Sequence, residues 1–186
     1  MSFSGNIKEE LVGHHAKARH CNLAELSALV EMAGAFRETE SGVCRLAIHT
    51  ENLRVARKGF TLLQKTFNIR TDIVVRRNTV KGSSSYHIYA RGEELLAVRQ
   101  AIVQAVCCKR AYIRGAFLAS GSMSDPSKSY HFEIVCEKER QAEHLKEMIN
   151  SFGLDAKIVK RKKAYVVYLK EGEQIVDILN VMEAHK

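Results

Sequence analysis

The chain says the same thing twice. Ala24-Glu-Leu-Ser-Ala-Leu-Val-Glu-Met-Ala-Gly34 is a helix-spaced run with a small-residue edge and a terminal glycine. Arg110-Ala-Tyr-Ile-Arg-Gly-Ala-Phe-Leu-Ala-Ser-Gly-Ser122 is its counterpart, with Gly115, Ala116 and Ala119 along one side. The segments downstream of the two runs also match. Gly34 and Gly121, Glu51 and Glu137, Phe67 and Phe152, and Arg77 and Lys162 lie 87, 86, 85 and 85 residues apart. Gly92 and Gly172 lie 80 apart, because the second half has a shorter turn where the first has Lys81-Gly-Ser-Ser-Ser85. A fixed order with a drifting offset is what duplication plus insertions and deletions leaves behind. The chain must therefore fold as two equivalent halves that meet at these two helices.

Periodicity fills in each half. Ser4 to Gly13 reads as a first helix, and Asn22 reads as the N-cap of a helix over Leu23–Ala33 with Glu25 in its first turn. Strands are expected at 35–39 and 43–50, joined by Glu40-Ser-Gly42. A helix runs over 51–67 with Leu53, Ala56, Phe60, Leu63 and Phe67 as its buried stripe. Strands at 71–77 and 86–90 and a helix over 93–106 close the half. The second half repeats the order: helix 109–120, strands 121–124 and 130–136 around Asp125-Pro126, helix 137–152, strands 156–160 and 164–169, and helix 173–184. The expected division is 1–22 as N-terminal helix and link, 23–107 as the first half, and 108–186 as the second.

At 186 residues the chain can bury a core, and one proline with no Gly/Ser linker argues against loosely tethered domains. No apolar run approaches the roughly 20 residues that span a bilayer, and no signal-peptide core opens the chain. A cytoplasmic protein without a membrane partner is expected. The five cysteines include no C-x-x-C pair, so reduced, buried thiols are expected rather than disulfides or structural zinc. His14, His15, His20 and Cys21 match no familiar zinc spacing and read as solvated loop residues. Cys107-Cys108 reads as buried at a helix end. No Walker loop, G-x-G-x-x-G or G-x-S-x-G is present, and no cofactor is expected.

Two small-residue helices ending in glycine, each leading into two hairpins separated by a helix, resemble the LAGLIDADG homing-endonuclease fold. Met1-Ser-Phe-Ser4, Lys8-Glu-Glu-Leu11 and the run from Cys108 through Ala-Tyr-Ile-Arg-Gly-Ala-Phe-Leu-Ala-Ser-Gly-Ser to Pro126 are similar to the WhiA family of bacterial sporulation and cell-division regulators. The resemblance covers essentially the whole chain. It implies an α+β fold: duplicated αββαββα halves with two antiparallel, saddle-shaped sheets around a pseudo-twofold axis. It also implies an N-terminal LAGLIDADG-like domain joined to a C-terminal helix-turn-helix. The chain has no room for the latter after Lys186, so it reads as an isolated domain.

In that family of nucleases the last acid of each motif helix holds the metal ions. Here Ala33 and Ser120 stand at those positions, a methyl and a hydroxyl where carboxylates would anchor magnesium. Glu31, two residues before Ala33, points about 200° away on a helix. Cleavage and a bound metal are therefore not expected.

The nucleic-acid surface implied by the resemblance falls on basic hairpin strands. Residues 70–81 carry Arg70, Arg76, Arg77 and Lys81 against Asp72, a net of +3. Residues 155–163 carry Lys157, Lys160, Arg161, Lys162 and Lys163 against Asp155, a net of +4. With an overall charge of +8, a two-lobed basic surface suits duplex phosphates. Lys and Arg also protect strand edges from mispairing, so solvation alone is the competing reading. Arg76 and Arg77 could read guanine and Asn78 adenine. Arg54, Arg57 and Lys58 are expected to solvate a helix face, and Tyr86, Tyr89, Tyr165 and Tyr168 to pack in the core. The expected function is a non-cleaving, DNA-binding transcriptional regulator of sporulation and cell division, associated with the nucleoid. The rivals are a protein-interaction domain with an acidic partner and an active endonuclease.

Overall fold

The computed structural model of the protein describes residues 2–125 and 127–184. Its elements are α1 (Phe3–Val12), α2 (Arg19–Ala33), β1 (Gly34–Glu38), β2 (Cys44–Thr50), α3 (Leu53–Phe67), β3 (Thr71–Asn78), β4 (Ser83–Arg91) and α4 (Leu96–Arg99). The second half contributes α5 (Val106–Ser120), β5 (Gly121–Met123), β6 (Phe132–Cys136), α6 (Glu139–Asn150), β7 (Lys157–Arg161), β8 (Ala164–Leu169) and α7 (Gly172–Val181). Two four-stranded antiparallel sheets have the orders β1-β2-β4-β3 and β5-β6-β8-β7. The equivalent order in both sheets is the duplication expressed as topology.

The two halves share one core, with α2 and α5 at its centre. Ala24, Leu26, Ala28 and Leu29 of α2 and Ala111, Ile113, Ala116 and Phe117 of α5 are buried in it. Small residues set how closely the helices approach. A Cβ on Gly115 would lie 2.5 Å from the Glu25 carbonyl oxygen and 3.0 Å from the Ala28 Cβ, so α5 presses its backbone onto α2. The glycines that end both helices also serve close approach. Gly34 and Gly121 have extended backbones, and the chain passes straight from helix to strand at each. A side chain on Gly34 would overlap the Ala47 carbonyl of the neighbouring strand.

Several local expectations need correction. Ala18, not Asn22, precedes α2; Asn22 lies inside the helix and is buried, because the helix starts early enough to bury Cys21. The buried face of α3 is Val55, Ala56, Gly59, Leu62 and Leu63, while Leu53 is exposed. The helix expected over 93–106 stops at Arg99; beyond it Val103 still packs against the core, but Ile102 lies in solvent, so the segment no longer buries one continuous helical face. β4 begins at Ser83, so only part of the expected Lys81–Ser85 turn is turn; Asn78 Oδ1 closes it by accepting from the amides of Val80 and Lys81 at 3.1 Å each. The turn at Asp125-Pro126 involves Pro126, outside the described residues. No helix among the described residues is long and apolar enough to cross a membrane.

Candidate nucleic-acid interface

Helices cover one face of each sheet, so strand alternation decides which side chains face away from them. On β2, Cys44, Leu46 and Ile48 are buried while Arg45 and His49 are exposed. The register carries this alternation across the sheet. Arg37 on β1 pairs with Arg45 on β2, and Arg45 pairs with Arg91 on β4. Three arginines therefore stand side by side across three strands of the open face. Like charges directly opposite one another weaken a sheet. Among the described residues no carboxylate forms an ion pair with any of the three, whereas Arg99 and Arg161 each have one and Arg114 has two. Arg37, Arg45, Arg70, Tyr89 and Arg91 line a concavity of about 880 Å³ on this face.

Beyond the arginine row the same face carries an aromatic patch. His49 and His87 meet edge to face at 4.2 Å between centroids, and Tyr89 stacks parallel to His87 at 6.3 Å. Burial lowers the His87 pKa below the usual 6.5, with His49 and Arg76 adding to the effect. In the second sheet the open face holds Lys157, Arg161, Ser122, Glu133 and Tyr168, as the registers of β5 to β8 require. Glu133 accepts from Arg161 at 3.3 Å and from His131 at 3.0 Å. Burial raises its pKa, but those hydrogen bonds and charges outweigh it and hold the carboxyl below its ordinary range. The Lys170 ammonium lies 5.2 Å over the Tyr168 ring.

The ten basic and amide residues singled out from the sequence are divided by this geometry. Arg76 and Asn78 stand on the open face of the first sheet, opposite Ser85 and Ser83, and Arg70 lines its rim. Lys157 and Arg161 stand on the open face of the second. Arg77 and Lys160 alternate to the helix-covered side, Lys160 sitting 5.7 Å over Tyr165. Lys81, Lys162 and Lys163 occupy the hairpin tips. Arg70 and Lys157 each have an acid nearby, Asp72 at 3.5 Å and Asp155 at 3.9 Å. Arg37, Arg45, Arg91 and Lys170 were missed, although strict alternation in Cys44–His49 and His87–Arg91 already put the arginines opposite buried residues. The tyrosines are likewise split. Tyr86 and Tyr165 pack against the core, while Tyr89 and Tyr168 take the open faces, against the expectation that all four would be core.

Beneath the sheets lies a buried ionic cluster that sequence reasoning missed. Glu25, Lys58 and Arg114 are 0, 2 and 1 % exposed. Arg114 Nε donates to Glu25 Oε1 at 3.0 Å, and Nη1 donates to Glu183 Oε2 at 3.0 Å. The Lys58 ammonium lies 3.6 Å from Glu25 Oε2 and donates to the His14 carbonyl. Burial lowers the Lys58 pKa against the pull of Glu25. Glu25 thus joins α2 to α3 and α5 rather than serving the first turn of its helix. Lys58 does not solvate a helix face either, and Arg54 pairs with Glu9 at 3.3 Å.

At the far ends of the central helices stand Ala33 and Ser120. The Ser120 hydroxyl donates to the Val135 carbonyl at 2.8 Å, so it is engaged within its own half. Glu31 reaches sideways to Gln141 of the other half, whose Nε2 donates to its carboxylate at 3.1 Å.

Comparison with known proteins places this architecture. The description "WhiA N-terminal LAGLIDADG-like domain" fits residues 19–99, and "WhiA LAGLIDADG-like domain" fits residues 109–186. The chain belongs to the WhiA family. A probable cell division protein WhiA from Lachnoclostridium phytofermentans is 48% identical, covering 100% of this chain and 66% of its own length. One from Alkaliphilus metalliredigens is 40% identical over 100% and 65%. The chain thus spans just under two thirds of the length of these relatives. The crystal structure of full-length DUF199/WhiA from T. maritima superposes with a TM-score of 0.86 at 22% identity, covering 100% of this chain and 63% of that one. I-DmoI, a homing endonuclease crystallised with DNA and Mn, gives a TM-score of 0.66 at 13% identity, with 91% and 100% covered. WhiA proteins are thus named for cell division while sharing a fold with endonucleases.

Proposed function

We propose that this domain binds duplex DNA on the open faces of its two sheets without cleaving it, as part of a WhiA-type transcriptional regulator of sporulation and cell division in the bacterial cytoplasm. The observation that carries the reading is the in-register row Arg37, Arg45 and Arg91, three like charges side by side with no carboxylate paired to them among the described residues. Such a row is unfavourable in the protein alone and favourable against a polyanion, because phosphates neutralise it and release counterions. Arg70, Arg76, Lys157, Arg161 and Lys170 extend the basic surface, Asn78 offers an amide to a base edge, and the hairpin-tip lysines contact phosphates from the sides. Arg77 and Lys160, on the helix-covered side, are left out of this surface.

Absence of cleavage rests on chemistry. Ala33 offers no ligand atom, and the Ser120 hydroxyl is already donated to Val135. The resemblance to LAGLIDADG endonucleases implies metal-holding carboxylates at those helix ends, and neither Ala33 nor Ser120 supplies one. The test is a labelled duplex titrated at several salt concentrations, together with supercoiled plasmid incubated with magnesium or manganese. The reading expects binding with a steep negative salt slope, a loss of roughly one unit of slope for each of Arg45→Ala and Arg91→Ala, and intact plasmid. Absent binding at low salt removes it.

One observation favours a second reading, a protein-binding role. The edge strand β3 exposes Ile73, Val74 and Val75 at 45, 40 and 58 %. An apolar edge with free backbone groups suits an added strand from another protein. A complex that survives nuclease treatment and is lost in Val75→Lys would support this role alongside or instead of DNA.

A further inference from the structure

The spacing of His14, His15, His20 and Cys21 gave no metal motif, yet the fold assembles one from two separate helices. His20 and Cys21 lie in the first turn of α2, and Cys107 and Cys108 lie in the first turn of α5. Because α2 and α5 pack side by side in the same direction, both pairs arrive at the same end. One ligand atom from each of the four residues lies within 4.8 Å of all the others, and this is the one such group of His, Cys, Asp or Glu among the described residues. His20 Nδ1 is 3.1 Å from the Cys108 sulfur and 3.8 Å from the Cys21 sulfur.

We infer that these residues form a Cys₃His zinc site clamping the N-terminal ends of the two central helices. Three thiolates and one imidazole are the donor set of closed, tetrahedral structural zinc sites. Zinc–sulfur bonds of about 2.3 Å put tetrahedral sulfurs about 3.8 Å apart, so shifts of under about 1 Å convert the observed cluster into a coordination shell. Cys21 and Cys108 are buried while His20 and Cys107 are exposed, which gives the ion an apolar floor and a route in. A cavity of about 320 Å³ lined by His15, Cys21, Cys107 and Arg110 opens beside it.

The electrostatics agree. A Zn²⁺ held by three thiolates carries a net −1, and both helix N-termini point their positive ends at it. Arg19, Lys109 and Arg110 supply further positive charge nearby. Each half supplies two ligands. The ion would therefore staple the two halves at the end opposite Ala33 and Ser120, about 18 Å along the helices.

The experiment is metal analysis of the chain purified without chelator, then Co²⁺ titration of the stripped protein. One zinc per chain is expected, with thiolate-to-cobalt charge transfer and the intense visible bands of tetrahedral cobalt. Cys107→Ser and His20→Gln change exposed residues, so both fold; each should weaken cobalt affinity by more than the 10- to 100-fold that losing a supporting hydrogen bond costs. Circular dichroism confirms their folding independently. Chelation should lower the Tm of the parent chain and leave that of Cys107→Ser unchanged. Five titratable thiols with neither zinc nor a cobalt spectrum would overturn the site. So would three titratable thiols and a mass lower by two hydrogens, which would make the cluster a disulfide instead.

Discussion

At the scale of single residues, the least expected feature is a carboxylate with no water around it. Among the described residues Glu25 is the one anion paired with both buried cations, Lys58 and Arg114. Its removal leaves Lys58 uncompensated inside the core and Arg114 with only the part-exposed Glu183. Glu25→Ala should cost about 3–5 kcal/mol, read as a fall in the urea midpoint at constant slope. Lys58→Met should cost clearly less, because it leaves the Glu25–Arg114 hydrogen bond intact and the ammonium takes its desolvation penalty with it. The reverse order would show that the lysine, not the glutamate, holds the cluster together. Gly115→Ala tests the neighbouring contact. Its methyl would meet the Glu25 carbonyl at 2.5 Å, so about 1–3 kcal/mol of overpacking is expected. None of this cluster was legible in the sequence. Glu25 sits at a position where an acid normally serves a helix dipole, and Lys58 occurs among Arg54 and Arg57 in what reads as a solvated stripe. Their partners lie 89 and 33 residues from Glu25, and only the docking of three helices brings them together.

At the scale of elements, the helices and strands were legible from periodicity because each buries one regular face, and glycine spacing exposed the duplication. What escaped was phase. In α3 the buried stripe is rotated by a residue or two from the expected one, since Gly59 admits Ile48 and Ile88 where a larger side chain would block them. In the sheets, charge runs drew attention to the hairpin ends, whereas alternation in β2 and β4 marks the arginines that share a face. Arg45→Thr tests whether that row serves binding rather than folding. It removes two like-charge pairs, so stability should hold or rise by up to about 1 kcal/mol while DNA affinity falls. A loss of stability with unchanged DNA affinity would make the row structural. The adjoining histidine predicts a pH effect. Burial, His49 and Arg76 lower the His87 pKa from 6.5, so the unfolded chain binds the proton more tightly. The resulting stability is complete above pH 6.5 and is lost as pH falls through the folded value. Urea midpoints measured across that window should decline on acidification, and His87→Gln should flatten the decline by removing one of the responding groups.

At the scale of the whole molecule, two sheets are joined through α2 and α5, and the proposed DNA binding would use their two modest basic surfaces as one footprint. Phosphate contacts add in the logarithm of the binding constant, each contributing about −0.9 to the salt slope on B-form DNA. Removing Arg37, Arg45 and Arg91 together should therefore reduce the slope by up to about 3. Replacing Lys157, Arg161 and Lys170 with alanine should reduce it by less than three full contacts, because Arg161 is already paired with Glu133 and Lys157 lies near Asp155. If both lobes hold the same duplex, the two reductions add on a long site, and shortening the duplex to one half-site makes the second set of substitutions silent. If the first sheet alone binds, the second set is silent at every duplex length. That comparison separates a paired scaffold from a single basic face beside an idle copy. It uses slopes rather than bare affinities, so a small loss of stability in either variant does not imitate the result.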